Sequence, residues 1–312
     1  MNTLYVIDPL AGLNIAGDST YMLMRESTRR GFPAAWCTPQ DLYAVEGAVP
    51  WARCQSVQAY PPNAAQVFDT GAWVERPLTD FDVIWMRKDP PFEMRYIFTT
   101  YLLEMAMRTG STRVFNHPAG LRSRNEKLFA LQFTGLTPNT LVSHEIPRIV
   151  AFTESLPGKV VLKPWDGNAG RGVLVTQKGD PNLRSMIELL TCEGRDFILA
   201  QQHIPAIVLG DKRILLVAGE PVGAMLRVPT ATDHRGNMHA GATVVGCELN
   251  ARDLEICAAI APMLKAEGLL FVGIDVIGGY LTEINVTSPT GIQEINRLQG
   301  VQIERLVWDA IG

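Results

Sequence analysis

Asp275, Glu283 and Asn285 are the residues whose types and spacing come nearest to a metal site. Val272 to Ile277 and Tyr280 to Val286 read as two strands joined through Gly278-Gly279. Glu283 and Asn285 are two apart, so on a strand they face the same side. A three-residue loop at Gly278-Gly279-Tyr280 sets Asp275 opposite Glu283 on that side, whereas a two-residue loop sets it on the other. Two carboxylates and an amide oxygen are hard donors that Mg2+ takes, with nucleotide phosphates completing its octahedron. The bland alternative is a hairpin with a wet polar face. Apolar Phe271-Val272-Gly273-Ile274 and Leu281 weigh against it, because acids in a buried sheet need a reason.

A second group surrounds Lys163. The apolar run Val160-Val161-Leu162 ends in Lys163-Pro164, and Asp166-Gly167-Asn168-Ala169-Gly170-Arg171-Gly172 leads into the strand Val173-Leu174-Val175. Glycines let backbone N–H groups fold closely over phosphates. The loop lacks the Walker pattern, and no helix follows it as a dinucleotide fingerprint requires. An ordinary hairpin turn explains this loop about as well when it is taken alone. Lys127, Arg213, Arg227 and Arg235 add cations. Each is an ordinary surface residue by itself, but phosphoryl transfer needs several positive groups together. Thr287-Ser288-Pro289-Thr290-Gly291 precedes a short helix ending near Leu298, and its hydroxyls suit either an anion or plain capping. The five histidines have no metal spacing, and no Gly-x-Ser-x-Gly elbow is present.

The elements that must position these residues fall into two patterns. In the N-terminal third, Leu4–Ile7, Ala34–Thr38, Phe81–Met86 and Thr112–Phe115 read as strands. They alternate with helices over 18–30, capped by Asp18 and stopped by Gly31, and over 92–108. This alternation predicts an open parallel sheet with ligands beyond its carboxyl ends, where Asp8 and Arg87 fall. The stretch 48–79 holds Pro50, Pro61, Pro62 and Pro77 and reads as a long connection with short strands. Beyond a boundary near Arg122-Ser123-Arg124-Asn125 the pattern is α+β. Its strands are expected at 140–143, 160–163, 173–176, 197–201 and 214–218, and its helices at 149–155 and 182–192.

The chain has 312 residues, 47% hydrophobic and 19% charged, enough for about two domains. Its net charge of −4 argues against a dedicated nucleic-acid binder. The five cysteines form no Cys-x-x-Cys pair, so neither a disulfide framework nor a structural zinc site is indicated. The opening residues lack the basic-then-apolar pattern of a secretory signal, and the longest apolar stretch, 268–279, is broken by Asp275. A cytoplasmic protein with no membrane partner is the expectation.

Taken in order, several segments resemble one family. They are Asp8-Pro9, Asn14-Ile15, Asp18-Ser19, Met86-Arg87-Lys88-Asp89-Pro90-Pro91-Phe92, Asn125-Glu126-Lys127-Leu128, the loop after Lys163-Pro164, Gly210-Asp211-Lys212-Arg213, Arg235-Gly236-Asn237, and Leu281-Thr282-Glu283-Ile284-Asn285-Val286-Thr287-Ser288-Pro289-Thr290. Together they resemble the ATP-grasp ligases and, more narrowly, the bacterial-type glutathione synthetases, over nearly the whole chain. The resemblance implies an α/β and α+β chain: an ATP-grasp fold preceded by an open, mostly parallel α/β domain. Residues 1–123 would be that first domain, 124–200 the small subdomain and 201–312 the C-terminal subdomain. It implies ATP as co-substrate and Mg2+ (or Mn2+) held by Asp275, Glu283 and Asn285. Lys127, Lys163 and the loop glycines Gly167, Gly170 and Gly172 would meet the phosphates. Gln201, Gln202, His203 and Ile204 would line the adenine, and Asp211 would lie near the ribose. Arg213, Arg227 and Arg235 would steady phosphate and the developing oxyanion. Asn237, Ser288, Thr290 and Gly291 would receive the acyl substrate, with Arg87 a further candidate.

The implied reaction joins γ-glutamylcysteine to glycine through an acyl phosphate, in a homotetramer, under a lid over 229–243. The sequence departs from the family pattern at Asn168-Ala169 and Arg171, and at Thr243, where an arginine is common. The alternatives are another amide-forming ATP-grasp ligase with a different amino acceptor, and a non-catalytic nucleotide binder of the same fold.

Overall fold

The computed structural model describes residues 1–47, 49–165, 167, 172–229 and 242–312, with residue 109 described for its backbone only. The N-terminal part is built on a seven-stranded sheet. Strands β1 (Thr3–Val6), β2 (Ala34–Cys37), β6 (Val83–Met86) and β7 (Arg113–Phe115) pair in parallel in the order β2-β1-β6-β7. Beyond β2 the sheet turns antiparallel through β4 (Trp51–Ala59), which carries β3 (Leu42–Tyr43) and β5 (Phe68–Pro77). Here the structure departs from the expected connection of short strands over 48–79: β4 and β5 are nine and ten residues long. The prolines stand at their ends and not inside them: Pro50 precedes β4, Pro61 and Pro62 lie between the two strands, and Pro77 closes β5. Most of β5 is exposed, so it carries no apolar alternation to read.

Helices α1 (Ser19–Arg29), α2 (Met94–Thr109) and α3 (Pro118–Ser123) complete this part. Asp18 caps α1 by accepting from Tyr21 N–H at 2.7 Å. A four-stranded antiparallel sheet follows, ordered β10-β9-β11-β8, from β8 (Thr140–Ser143), β9 (Lys159–Pro164), β10 (Leu174–Gln177) and β11 (Ile198–Gln202). Helices α4 (Ile146–Ser155) and α5 (Leu183–Leu190) cover it. The last sheet, also antiparallel, runs β14-β13-β12-β15-β16, from β12 (Asp211–Val217), β13 (Glu220–Val228), β14 (Thr243–Gly246), β15 (Phe271–Ile277) and β16 (Tyr280–Asn285). Helices α6 (Ala251–Ala266), α7 (Ile292–Gln299) and α8 (Ile303–Asp309) accompany it.

The apolar packing divides the chain differently from its order. Two clusters each combine the N-terminal and C-terminal sheets, one holding Leu4, Ile84, Ile214 and Ile274, the other Tyr5, Trp85, Leu215 and Phe271. The four-stranded sheet keeps a separate small core of Ile149, Val160, Leu162, Ile187 and Ile198. A large body and a small lobe result, and the polar residues described next stand on the strands of both. Among the described residues no helix is long and apolar enough to cross a membrane.

Candidate active site

The hairpin β15–β16 decides which carboxylates share a face. Its turn is the two-residue one: Ile277 pairs with Tyr280 across Gly278 and Gly279, both at positive φ. Continued regularly, that register would pair Asp275 with Thr282 and turn Glu283 away. A bulge between Asp275 and Val276 shifts it by one residue, so Asp275 pairs with Glu283 and Gly273 with Asn285. Thr282 is the extra residue, and its hydroxyl donates to the Asp275 carbonyl at 3.1 Å.

Neighbouring strands extend this row. Asp211 and Arg213 are two apart on β12; Arg213 pairs with Asp275 and Asp211 with Arg227 of β13. Arg213 grips Asp275 with Nε at 2.5 Å and Nη2 at 3.1 Å, and its Nη1 donates to the Thr290 carbonyl at 3.2 Å. The Nη2 of Arg227 lies 2.5 Å from Asp211 and 2.9 Å from Asp275. Gly273 makes room for this: a Cβ there would lie 3.2 Å from Arg213 Cδ and 3.1 Å from Pro289. Burial opposes charge on Asp275, but Arg213 and Arg227 outweigh it and hold that carboxyl well below the usual carboxylate range. Asp211 goes the other way: burial raises it against the pull of Arg227, and Asp275 adds to the rise.

From the small lobe and its approach come two ammonium groups. Lys127 Nζ lies 3.2 Å from Glu283 Oε1 and also donates to the Gly167 carbonyl. Lys163, at the end of β9, donates to Gln201 Oε1 at 2.7 Å, and Gln201 in turn donates to Thr140 Oγ1 at 2.9 Å. Burial pulls Lys163 below its usual pKa; Glu283 opposes this and Lys127 adds to it. Two ammonium groups close enough to repel each other are a fit for an anion between them. Among the described residues, Asp211 Oδ1 and Arg227 Nε are buried without a hydrogen-bond partner, an acceptor and a donor left for a ligand.

The remaining expected residues distribute as follows. Gln202 and His203 follow the same strand, but their N–H groups are committed to Asn139 and Lys159 carbonyls. Ile204 N–H has no acceptor among the described residues. Gly172 sits at positive φ against Pro164. Ser288, Thr290 and Gly291 form the turn into α7, yet the Ile292 N–H bonds to Ser19 Oγ at 3.3 Å, so the two hydroxyls do not cap that helix. Gly291 has a φ of +121°, and a Cβ there would lie 2.9 Å from Met225. Arg87 is buried at the end of β6, bonding Thr20 at 3.1 Å and the Pro289 carbonyl at 2.8 Å. Arg87 and Arg213 therefore hold adjacent carbonyls of one turn. Gly170, Arg235 and Asn237, the departures Asn168, Ala169 and Arg171, and most of the expected lid lie outside the described residues.

Glu126 has a part that the sequence reading did not give it. Its Oε1 accepts from Val286 N–H at 2.9 Å, Thr287 N–H at 3.0 Å and Thr287 Oγ1 at 2.8 Å, and its carbonyl accepts from Ile284 N–H. It thereby fixes the strand that carries Glu283 and Asn285, while the next residue, Lys127, reaches Glu283. Its position in Asn125-Glu126-Lys127 was the only available signal.

Asp275, Glu283 and Asn285 fit a hard divalent cation by donor chemistry. Among the described residues no three His, Cys, Asp or Glu side chains converge, but such an ion needs only one or two carboxylates when phosphates supply the rest. The buried unpartnered Asp211 Oδ1 nearby agrees with a site that takes further groups.

Comparison with known proteins gives the following. A family model for the prokaryotic glutathione synthetase N-terminal domain matches residues 1–122, and one for the prokaryotic glutathione synthetase ATP-grasp domain matches 126–300. Glutathione synthetase of Thermosynechococcus vestitus is 44% identical, covering 98% of both chains. That of Agrobacterium fabrum is 42% identical over 99% of this chain and 96% of its own. Among solved structures, D-cycloserine synthetase DcsG superposes with a TM-score of 0.66 at 14% identity, over 99% of this chain and 100% of its own. The ATP-grasp ligase PsnB gives 0.62 at 17%, over 99% and 98%. At such identities these two speak for the fold alone.

Proposed function

Because the chain belongs to the prokaryotic glutathione synthetase family, we propose that it joins γ-glutamylcysteine to glycine at the expense of ATP, using the residues assembled above. It is an ATP-dependent carboxylate–amine ligase of ATP-grasp fold. The observation that carries the residue assignment is the row Arg227–Asp211 and Arg213–Asp275–Glu283 facing Lys127 and Lys163.

A carboxylate is a poor acyl donor because oxide would have to leave. Attack of the γ-glutamylcysteine carboxylate oxygen on the γ-phosphorus of ATP breaks the bond to the β-phosphate oxygen and yields an acyl phosphate and ADP. The uncharged amine of glycine then attacks the acyl carbon. The tetrahedral intermediate expels phosphate and loses the amine proton to give the amide. Lys127 and Lys163 bind the nucleotide phosphates. Gln201 orients Lys163 by its 2.7 Å hydrogen bond. Ile204 N–H, which has no acceptor among the described residues, donates to the adenine, and Asp211 Oδ1, which has no donor among them, accepts from a ribose hydroxyl. Arg227 Nε and Arg213 offer charge to the transferring phosphoryl group and to the oxyanion. Arg87 and Arg213 fix the 288–291 turn that receives the acyl substrate. Asp275, Glu283 and Asn285 would hold Mg2+ (or Mn2+), which supplies charge neutralisation at the phosphates when bound. Arg235 and Asn237 belong to this assignment as expected from sequence. The unit boundaries 1–123, 124–200 and 201–312, a cytoplasmic location and a homotetrameric assembly are part of the same reading.

Phosphate release from ATP tests it. Release is expected only with γ-glutamylcysteine and glycine both present. Equal release when glycine is replaced by other amines would overturn the acceptor, and no release with any pair would overturn the ligase assignment.

A further inference from the structure

A cavity of about 340 Å³ lies between the segment before α2, the approach to the small lobe and the ends of β9 and β16. Phe92 and Trp165 wall it, and Asn125, Glu126, Lys127 and Thr287 stand in its lining. Its size is that of a small-molecule site. Two of these residues tie it to the chemistry. Lys127 reaches Glu283 at 3.2 Å, and Thr287 leads into the 288–291 turn assigned to the acyl substrate.

The polar atoms of the cavity sort by what they already bind. Glu126 Oε1 is taken by the Val286 and Thr287 N–H groups and the Thr287 hydroxyl. Its Oε2 accepts from no group among the described residues. Asp211, Asp275 and Glu283 each pair with a cation, whereas Glu126 has none within ion-pairing distance among the described residues. Asn125 Oδ1 accepts from the Lys127 and Leu128 N–H groups at 3.1 Å each. Its Nδ2 is therefore the donor, and it has no acceptor among the described residues. An uncompensated carboxylate oxygen calls for a cation, and an open amide N–H calls for an acceptor. A zwitterionic amino acid carries both. The two aromatic walls favour one with little or no side chain.

We propose that this cavity receives the amine substrate, glycine, with its ammonium on Glu126 Oε2 and its carboxylate on Asn125 Nδ2, and that Trp165 limits the side chain accepted. The proposal rests on the ligase reading above and names its amine subsite.

Steady-state phosphate release tests it, with each substrate varied in turn and melting measured on the same samples. In Glu126→Gln the amide oxygen keeps the three bonds to residues 286 and 287, and only the oxygen left to the cavity becomes a donor. The variant is expected to raise KM for glycine about tenfold or more, with KM for ATP and γ-glutamylcysteine within about twofold of wild type. Trp165→Ala is expected to raise kcat/KM for L-alanine relative to glycine about tenfold or more. A folded Glu126→Gln whose glycine KM is unchanged, or whose three KM values rise together as a structural role would have it, would overturn the proposal. So would an unchanged alanine-to-glycine ratio in Trp165→Ala, which decides the matter if Glu126→Gln fails to fold. Those results leave the ligase reading standing. No release from the wild type with any amine would overturn that reading and the amine subsite with it.

Discussion

Asp275 and Glu283 are paired across one hairpin, yet their surroundings give them different burdens. Asp275 is buried and shares two buried guanidinium groups, whereas Glu283 is partly exposed and meets one lysine. Asp275→Asn is expected to cost on the order of 3 kcal/mol in urea unfolding, because Arg213 and Arg227 lose the charge that compensates them. Glu283→Gln is expected to stay within about 1 kcal/mol of wild type, since only a partly exposed pair is lost, while turnover falls roughly 100-fold or more. If Glu283→Gln kept full turnover under saturating substrates, its assignment to the reacting centre would be wrong. The residue types at these positions were readable from spacing alone. That Gln201 points at Lys163, and that Glu126 holds three donors just beyond the strand of Glu283 and Asn285, could not be read, because both contacts join residues far apart in the chain.

At the scale of elements, the bulge in β16 is what a periodicity argument misses. The sequence left two loop lengths open, each with its own face for Asp275. The molecule uses the two-residue turn and still aligns Asp275 with Glu283, because Thr282 adds one residue to the strand. Deleting Thr282 removes the bulge and leaves a regular register that still pairs Asp275 with Glu283 and Ile274 with Ile284, so the folded variant is expected to keep appreciable turnover, with a modest loss of stability from the changed strand twist. Thr282→Val keeps the residue count and loses only the bond to the Asp275 carbonyl, so a cost of about 1 kcal/mol and near-normal turnover are expected. Loss of all turnover in a deletion variant that still folds would show that the bulge geometry itself, and not only the shared face, is needed. Elements with strong periodicity, such as α1 and β8 to β11, were legible. The β4–β5 pair was not, because its prolines resembled breaks while in fact marking strand ends.

Across the whole molecule, the first and last helices are tied together. Glu26 of α1 is buried and accepts from Arg29 at 2.6 and 2.7 Å and from Arg30 at 2.7 Å, and Arg30 reaches Asp309 of α8 at 2.6 Å. Burial would raise the Glu26 pKa, but the hydrogen bonds from the two arginines more than offset it and hold the carboxyl below its usual value. A depressed carboxyl contributes stability above its unfolded pKa of about 4.3 and loses it as pH falls through the folded value. Glu26→Gln is therefore expected to cost about 1 kcal/mol at pH 7, discounted because Arg29 is half exposed. The difference from wild type should vanish in more acidic solution. A gap between the two melting curves that persisted or grew on acidification would contradict this.

The linear chain determined which side chains can do chemistry, because donor type and strand spacing are local properties, and it determined most strands and helices, because burial imposes a period on each. Tertiary structure decided the rest: which strands lie side by side, and hence that Asp211, Arg213, Arg227, Asp275 and Glu283 form one row. It also decided that the N-terminal and C-terminal sheets share their cores while the four-stranded lobe keeps its own. Pairing between distant segments is selected by packing of the whole chain, and no window of sequence contains that energy.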